Sequence, residues 1–277
     1  MNELLDVLNQ GVMSAADLRR KLKVSPATLM RSIQKEKARL ISMGRARAIR
    51  YGVRQIWQGL AQSDFPLFRV TDQGRPESLG ELTTMAAHQT VRMPDGLVTD
   101  GLPIALTDAR PSGFLGRHFA VRHADLALPE RLMDWSDHHV LLALSRRGED
   151  LTGNLLIGSE SFTRWQELEF PLITTNDYPT LAAQAMEGNP PGSSAGGERP
   201  KFGAFVEGHH VLVKFAVSGA KSTEVSRRWC DLIVLEALAL EVIASRGVPT
   251  AITRLICTDA YYFLESVRFD RVGLRGR

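Results

Sequence analysis

Between Pro190 and Phe215 a loop of small residues runs straight into an apolar hairpin, and that junction limits what the chain can become. Pro190-Pro191-Gly192-Ser193-Ser194-Ala195-Gly196-Gly197 suits neither a helix interior nor a central strand, because glycine is entropically costly there and proline lacks an N–H. Without a Cβ in the way, Gly192, Gly196 and Gly197 let backbone N–H groups come close to an anion. A short alternating strand follows, then a turn at Glu207 to His210, then a second strand in which Lys214 sits among Val211, Leu212, Val213 and Phe215. A lysine inside an apolar strand is costly unless its ammonium meets a counter-charge, and a phosphate would supply one. The same residues also fit a surface Gly/Ser linker beside an amphipathic hairpin whose lysine reaches outward to water.

Gly192-Ser193-Ser194-Ala195-Gly196-Gly197-Glu198-Arg199-Pro200-Lys201 resembles the G-[ST]-S-x-G-G-x-[RQ]-P-K signature of HipA-type serine/threonine kinases. These are the kinase toxins of bacterial toxin–antitoxin systems. Two further resemblances lie in the expected order: Val211 to Phe215 is similar to the strand of the nucleotide lysine, and Phe263 to Arg271 to the interlobe segment ending in R-F-D-R. The resemblance runs from about residue 60 to the end and is most specific in the last third. It implies ATP as cofactor, with Ser193, Ser194, Gly196 and Gly197 covering the phosphates and Lys214 meeting them. It also implies backbone contacts to adenine near Val267 and Phe269, with Asp270 near the ribose. Val267 departs from the family, which usually has glutamate there, so only a backbone contact carries over. A further implication is phosphorylation of Ser193 or Ser194, a charge that would repel the nucleotide phosphates.

Charge is unevenly spread along the 277 residues. The whole chain is +3, yet residues 1–54 hold 12 Lys/Arg against 4 Asp/Glu. A basic block on a small domain is an electrostatic footprint for nucleic acid, or a solvated helical face. Leu4, Leu5 and Leu8 share one face of a first helix closed by Gly11, and Ser14 caps a second containing Leu18 and Leu22. Ser25-Pro26 starts a third, expected to reach about Met43 while burying Leu29, Ile33 and Leu40. Thr28, Arg31, Ser32, Lys35 and Arg39 then face outward, and Arg45 to Arg54 forms an extended basic ribbon. Three helices and a ribbon predict a winged helix-turn-helix whose DNA contacts are Ser25, Thr28, Arg31, Ser32, Lys35, Arg39, Arg47 and Arg50. The alternative is a helical bundle that binds protein.

Residues 55–185 say less. Phe65 to Val70, the turn at Asp72-Gln73-Gly74 and Gly80 to Leu82 read as a small β unit, similar to the N-terminal subdomain of HipA-type kinases. Arg122-His123-Ala124-Asp125-Leu126 mimics a kinase catalytic-loop tripeptide but precedes the nucleotide lysine and lacks the required asparagine, so it reads as a polar turn. Adjacent His138 and His139 would diverge on a helix, so no metal site is expected. Cys230 and Cys257 read as buried thiols in a reducing compartment. With no secretory pattern and no apolar run of membrane-spanning length, a cytoplasmic location and no membrane partner are expected.

From Val225 to Arg246 a helix displays Trp229, Leu232, Ile233, Leu235, Leu238, Leu240 and Val242, enough apolar surface to require packing on a sheet. In a kinase an acidic residue here pairs with the lysine, and Glu224 and Glu236 both qualify. Two strands, Ala251 to Cys257 and Tyr261 to Glu265, lead to Arg268-Phe269-Asp270-Arg271. No segment after Phe269 offers the catalytic-loop aspartate and asparagine or the metal-binding aspartate, so no catalytic or metal residue is assigned. The expected fold is α+β: a winged helix-turn-helix (1–54), a HipA-type β subdomain (55–185) and a kinase N-lobe-like segment (186–277). The expected function is the N-terminal portion of a HipA-like kinase toxin, truncated before the catalytic lobe and unable to transfer phosphate as it stands. ATP binding would be weak or lost, Mg would bind only with the missing lobe supplied, and DNA and an antitoxin protein are the implied partners. The alternative is a DNA-binding transcriptional regulator with a non-catalytic kinase-like domain.

Overall fold

Apolar residues three and four apart start the fold. In the computed structural model, which describes residues 3–187, 199–219 and 222–277 apart from the side chain of Arg47, Leu4, Leu5 and Leu8 of α1 (Glu3–Leu8) are all buried. β1 (Met13–Ser14) leads into α2 (Ala15–Leu22), where the Ser14 hydroxyl accepts from the Asp17 N–H and Lys23, in the left-handed region, ends the helix. Ser25 caps α3 (Pro26–Lys35) in the same way, accepting from the Thr28 N–H, with Pro26 in the first turn.

α3 stops at Lys35, about two turns before the expected end near Met43. Leu40 must enter the core of Leu18, Leu29 and Ile33, while Ile41 and Met43 are needed against Met85 and Val91 on the next sheet. Residues one apart point to opposite sides in a strand, so β2 (Leu40–Met43) satisfies both demands. The ribbon is corrected likewise: Ala46–Ala48 forms a 3-10 turn before β3 (Arg50–Val53). β3 lies between β1 and β2 in a three-stranded antiparallel sheet.

The middle of the chain is built on a five-stranded antiparallel sheet of β4 (Asp64–Val70), β5 (Pro76–Met85), β6 (Gln89–Met93), β7 (Leu97–Asp100) and β8 (Leu155–Ile157). Its order is β7-β6-β5-β4-β8. Short helices α4 (Ile104–Asp108), α5 (Gly113–Arg117) and α6 (Phe119–Arg122) precede α7 (Asp137–Arg147), and α8 (Ser159–Glu167) and α9 (Tyr178–Met186) follow β8. Phe65, Leu67 and Leu82 of the sheet share a core with Trp135, Val140, Leu141 and Leu144. The N-terminal unit docks on this sheet: the Trp57 Nε1–H donates to the Met85 carbonyl (3.0 Å), and the Ala86 N–H donates to the Val53 carbonyl (2.9 Å).

A second antiparallel sheet comprises β9 (Lys201–Val206), β10 (His209–Val217), β11 (Thr253–Cys257) and β12 (Tyr261–Val267), with α10 (Glu224–Ser245) between β10 and β11. The order is β11-β12-β10-β9. Glu207 and Gly208 join β9 to β10 with φ of 50° and 85°, the left-handed pair that a two-residue hairpin turn requires. One face of the sheet, through Phe202, Val213, Phe215 and Phe263, packs on Phe114 and Leu115 of α5 and Tyr178, Ala182 and Ala185 of α9. The middle segment therefore supplies one wall of the second sheet.

The opposite face meets α10, but only Cys230 and Ile233 of that helix are fully buried. Leu232, Leu235, Leu238 and Val242 remain exposed, so one stripe of α10 packs on the sheet rather than the whole apolar surface. Cys257 is also exposed, contrary to the expected burial, because β11 is an edge strand. Beyond β12, Arg271 donates to the Leu151 carbonyl (2.7 Å), Arg275 to the carbonyls of Trp165 (2.6 Å) and Leu168 (2.9 Å), and Arg277 through its N–H to the Thr71 carbonyl (3.0 Å). These arginines fasten the last residues onto the middle segment.

Candidate functional site

Lys214 belongs to β10, an inner strand, so its backbone position is fixed on both sides. Its Nζ is ion-paired with Glu236 Oε1, projecting from α10, and Arg199 Nη1 reaches the other oxygen of the same carboxylate at 3.2 Å. Of the two candidate acids, α10 brings Glu236 to the lysine. Glu224 instead stands at the exposed start of the helix, paired with Arg228 one turn on (2.7 Å). The Arg199 guanidinium also lies over the Trp229 ring, 5.1 Å from its centre, which fixes its plane.

A second lysine joins this group. Lys201 is the cross-strand neighbour of Lys214 and is only 2% exposed. Burial pushes its amine down to about 8, helped by Lys214, Arg117 and Arg199 and opposed by Glu236. Residues directly opposite in an antiparallel pair share a face, so Lys201, Lys214 and Leu264 form one row across three strands. Leu212, Gly203 and Ser266 form the next row on that face. The surface thus offers cations at one end and small or apolar side chains beside them. Among the described residues more positive groups than carboxylates converge here, which fits an anionic group such as a nucleotide's polyphosphate.

The remaining expected nucleotide residues have mixed positions. Ser193, Ser194, Gly196 and Gly197 lie outside the described residues. The Val267 N–H already donates to the Ile252 carbonyl (2.9 Å), and the Phe269 side chain is 97% exposed. Asp270 is held by Arg268 Nη2 (2.8 Å), Arg271 Nη1 (2.8 Å) and the Gly153 N–H (3.1 Å). Burial alone would raise its carboxyl, but the bond and charge of Arg268, the charge of Arg271 and the Gly153 N–H more than offset that. They hold it far below the usual carboxylate range. Asp270 therefore ties the residues after β12 to the middle segment.

On the N-terminal unit, Arg31 and Lys35 are exposed on α3, and Thr28 and Ser32 are half-buried beside them. The Ser25 hydroxyl is engaged in capping and in a 2.9 Å contact with the Thr28 hydroxyl. Arg39 leaves the helix face, standing exposed in the turn before β2, 3.9 Å from Glu36. Arg50 on β3 donates to the Gly96 carbonyl at 3.3 Å, and the Arg47 side chain lies outside the described residues.

Lys201, Arg199 and Arg117 were not assigned from sequence. A signal for Lys201 existed: once Glu207-Gly208 is the turn, counting outward places Lys201 directly opposite Lys214. Nothing local marks Arg117, which arrives from the middle segment. Among the described residues no cluster of His, Cys, Asp and Glu could hold a metal, and no helix is long and apolar enough to cross a membrane. His138 and His139 serve the N-terminus of α7 with Ser136, and Asp125 of the kinase-like tripeptide pairs with Arg147 at 2.6 Å.

A protein-family model described as the YjjJ-like toxin, middle domain, matches residues 61–166. The chain is 36% identical over 299 aligned residues to Toxin YjjJ of Escherichia coli (strain K12), an alignment covering 100% of this chain and 65% of that protein. The chain is thus similar along its full length to a YjjJ-type toxin; of the middle-segment residues packed on the second sheet, Phe114 and Leu115 fall within the part the family model matches and Tyr178, Ala182 and Ala185 lie beyond it.

Proposed function

We propose that this chain is the nucleotide-facing portion of a HipA-like toxin–antitoxin serine/threonine kinase, joined to a winged helix-turn-helix that binds DNA. The observation that carries the reading is the ion pair between Lys214, on an inner strand, and Glu236, on the helix beside that face. Phosphoryl transfer depends mostly on positioning and on charge stabilisation, and a strand lysine steered by a helix glutamate is the device kinases use for both. ATP, when bound, supplies the transferable phosphoryl group. Lys214 would hold the phosphates, Glu236, its other oxygen held by Arg199, would fix the ammonium, and the row of Leu212, Gly203 and Ser266 would take the flatter, less polar part of the nucleotide. The similarity to Toxin YjjJ supports a toxin role, and with it an antitoxin protein as partner.

The DNA-binding part rests on the basic N-terminal unit, whose element order α1-β1-α2-α3-β2-β3 is that of a winged helix, with Arg31 and Lys35 exposed on α3. A second reading, a DNA-binding transcriptional regulator whose kinase-like unit is non-catalytic, is favoured by one observation: the Asp270 carboxylate is already engaged by Arg268, Arg271 and Gly153. Titration of a fluorescent ATP analogue decides between them. The nucleotide-facing reading expects saturable binding that Lys214→Met weakens at least tenfold, the loss of one charge-assisted contact. Equal binding by the parent and Lys214→Met would leave the regulator reading.

A further inference from the structure

We propose that the outer edge of β9 and the cavity beside it bind a small, uncharged, planar molecule carrying an N–H and a carbonyl side by side, as a fused-ring lactam does. The site lies at the strand's edge, not on the sheet face that carries Lys201 and Lys214, and it does not depend on a nucleotide there.

The ladder bonds fix which way β9 turns its peptide groups. In antiparallel strands, opposite residues alternate between pairs that exchange both backbone bonds and pairs that exchange none. The Phe215 N–H donates to the Pro200 carbonyl (3.2 Å), one step from the Lys201–Lys214 pair, so Phe202–Val213 and Ala204–Val211 are bonded pairs. β10 turns its alternate residues to β12, as the Arg268 N–H donating to the His210 carbonyl (2.9 Å) records. β9 is the last strand of its sheet, so Gly203 and Phe205 aim their N–H and C=O groups outward. Among the hydrogen bonds of the described residues, none reaches these outward groups.

They border a cavity of about 300 Å³ between β9, α6 and residues 168–173, a volume suited to a small ligand. Phe119, Phe170, Ile173 and Leu181 supply apolar walls. Phe170 packs against Phe205 (ring centres 5.7 Å apart) and edge-on to His210 (4.7 Å), and Phe119 packs edge-on to His123 (4.5 Å). Such ring surfaces favour a flat occupant. Arg122, Arg147 and Arg268 line the space together with Glu149, Asp150 and Glu169, so positive and negative groups are matched and neither sign of ion is selected. Burial pushes the His123 ring down to about 4 and lowers His210, which keeps both neutral at neutral pH. The N–H and C=O of one extended residue point the same way, and a lactam edge answers them with one acceptor and one donor. Gly203, with no side chain, leaves the most room for that edge.

Titration of oxindole, a fused-ring lactam, into the isotope-labelled whole chain, followed through backbone amide shifts, is the test. Saturable shifts should centre on Gly203, Phe205 and residues 168–173. N-methyloxindole keeps the rings and the carbonyl but loses the donor, and should bind on the order of tenfold more weakly. Gly203→Pro removes one outward N–H while sparing the ladder to β10, since proline is tolerated on an edge strand, and should weaken oxindole binding to a similar degree. The absence of saturable shifts, shifts centred elsewhere, equal affinity for the two oxindoles, or undiminished binding by a folded Gly203→Pro would each overturn the proposal. Displacement of oxindole by ATP would do so too, because it would place the ligand on the nucleotide face. Should Gly203→Pro fail to fold, the comparison of the two oxindoles on the parent still decides.

Discussion

Replacing Arg271 by methionine should loosen the seam between the second sheet and the middle segment. Arg271 is 8% exposed and donates to the Leu151 carbonyl (2.7 Å), the Gly153 carbonyl (3.1 Å), Asp270 Oδ2 (2.8 Å) and Asp150 Oδ1 (3.3 Å). Methionine keeps much of the aliphatic volume but removes every donor. The loss takes a donor from the Leu151, Gly153 and Asp270 carbonyls and leaves Asp150 and Asp270, among the described residues, with Arg268 alone as counter-charge. Truncating one member of a buried ion pair costs about 3–5 kcal/mol, and the separate losses do not add because they share one network. At roughly 2–4 °C per kcal/mol for a protein this large, the midpoint should fall on the order of 10 °C. Arg69→Met is the control, since the Arg69–Glu77 pair on the surface should contribute less than about 1 kcal/mol. Thermal unfolding of both variants beside the parent, at one scan rate, measures the contrast. If Arg271→Met unfolds within about 1 kcal/mol of the parent, the arginine seam does not hold these units together.

The His123 ring, half-buried between Arg122 and Arg147, is pushed down to about 4 by burial first and by those charges second. The unfolded chain then binds more protons between pH 6.5 and 4, so stability should fall with acidification across that window and fall less in His123→Gln, as denaturant midpoints by pH would record. Asp270 has the same sign in a more acidic window. Its depressed carboxyl contributes stability that is present above the ordinary aspartate range and lost as pH drops through the folded value, so Asp270→Asn should flatten the loss below about pH 4. On the N-terminal unit, Arg31→Ala with Lys35→Ala should weaken DNA binding and lower the salt slope by about 0.9 per phosphate contact removed. An unchanged slope in a gel-shift series across salt would put the contact surface elsewhere.

Local patterns in the sequence specified much of the scaffold. Ser14 and Ser25-Pro26 mark two helix starts through hydroxyls that the structure uses as caps, and the alternation around Lys214 marks its strand. What could not be read was set by partners far away in the chain. α3 looks as though it continues to Met43 until Met85 and Val91, some forty residues on, require Ile41 and Met43 to face away from Leu40. Glu224 and Glu236 are equivalent as letters, and only the angle at which α10 crosses β10 brings one to Lys214. Lys201 lay within a quoted signature and was readable from hairpin register, whereas Arg117 reaches the site through the packing of α5 on β9. The anchoring role of the arginines after β12 carried no local signal, because their acceptors are mostly backbone carbonyls of residues 149–168.

The central claim is that Lys214 and Glu236 act together on a nucleotide. Calorimetric titration of ATP into the parent, Glu236→Gln and Glu224→Gln tests it most directly. Glutamine keeps the shape of either side chain but removes the charge that steers the lysine, so Glu236→Gln should weaken ATP binding severalfold or more while Glu224→Gln binds like the parent. Identical ATP affinity in all three proteins, or a loss confined to Glu224→Gln, would contradict the account.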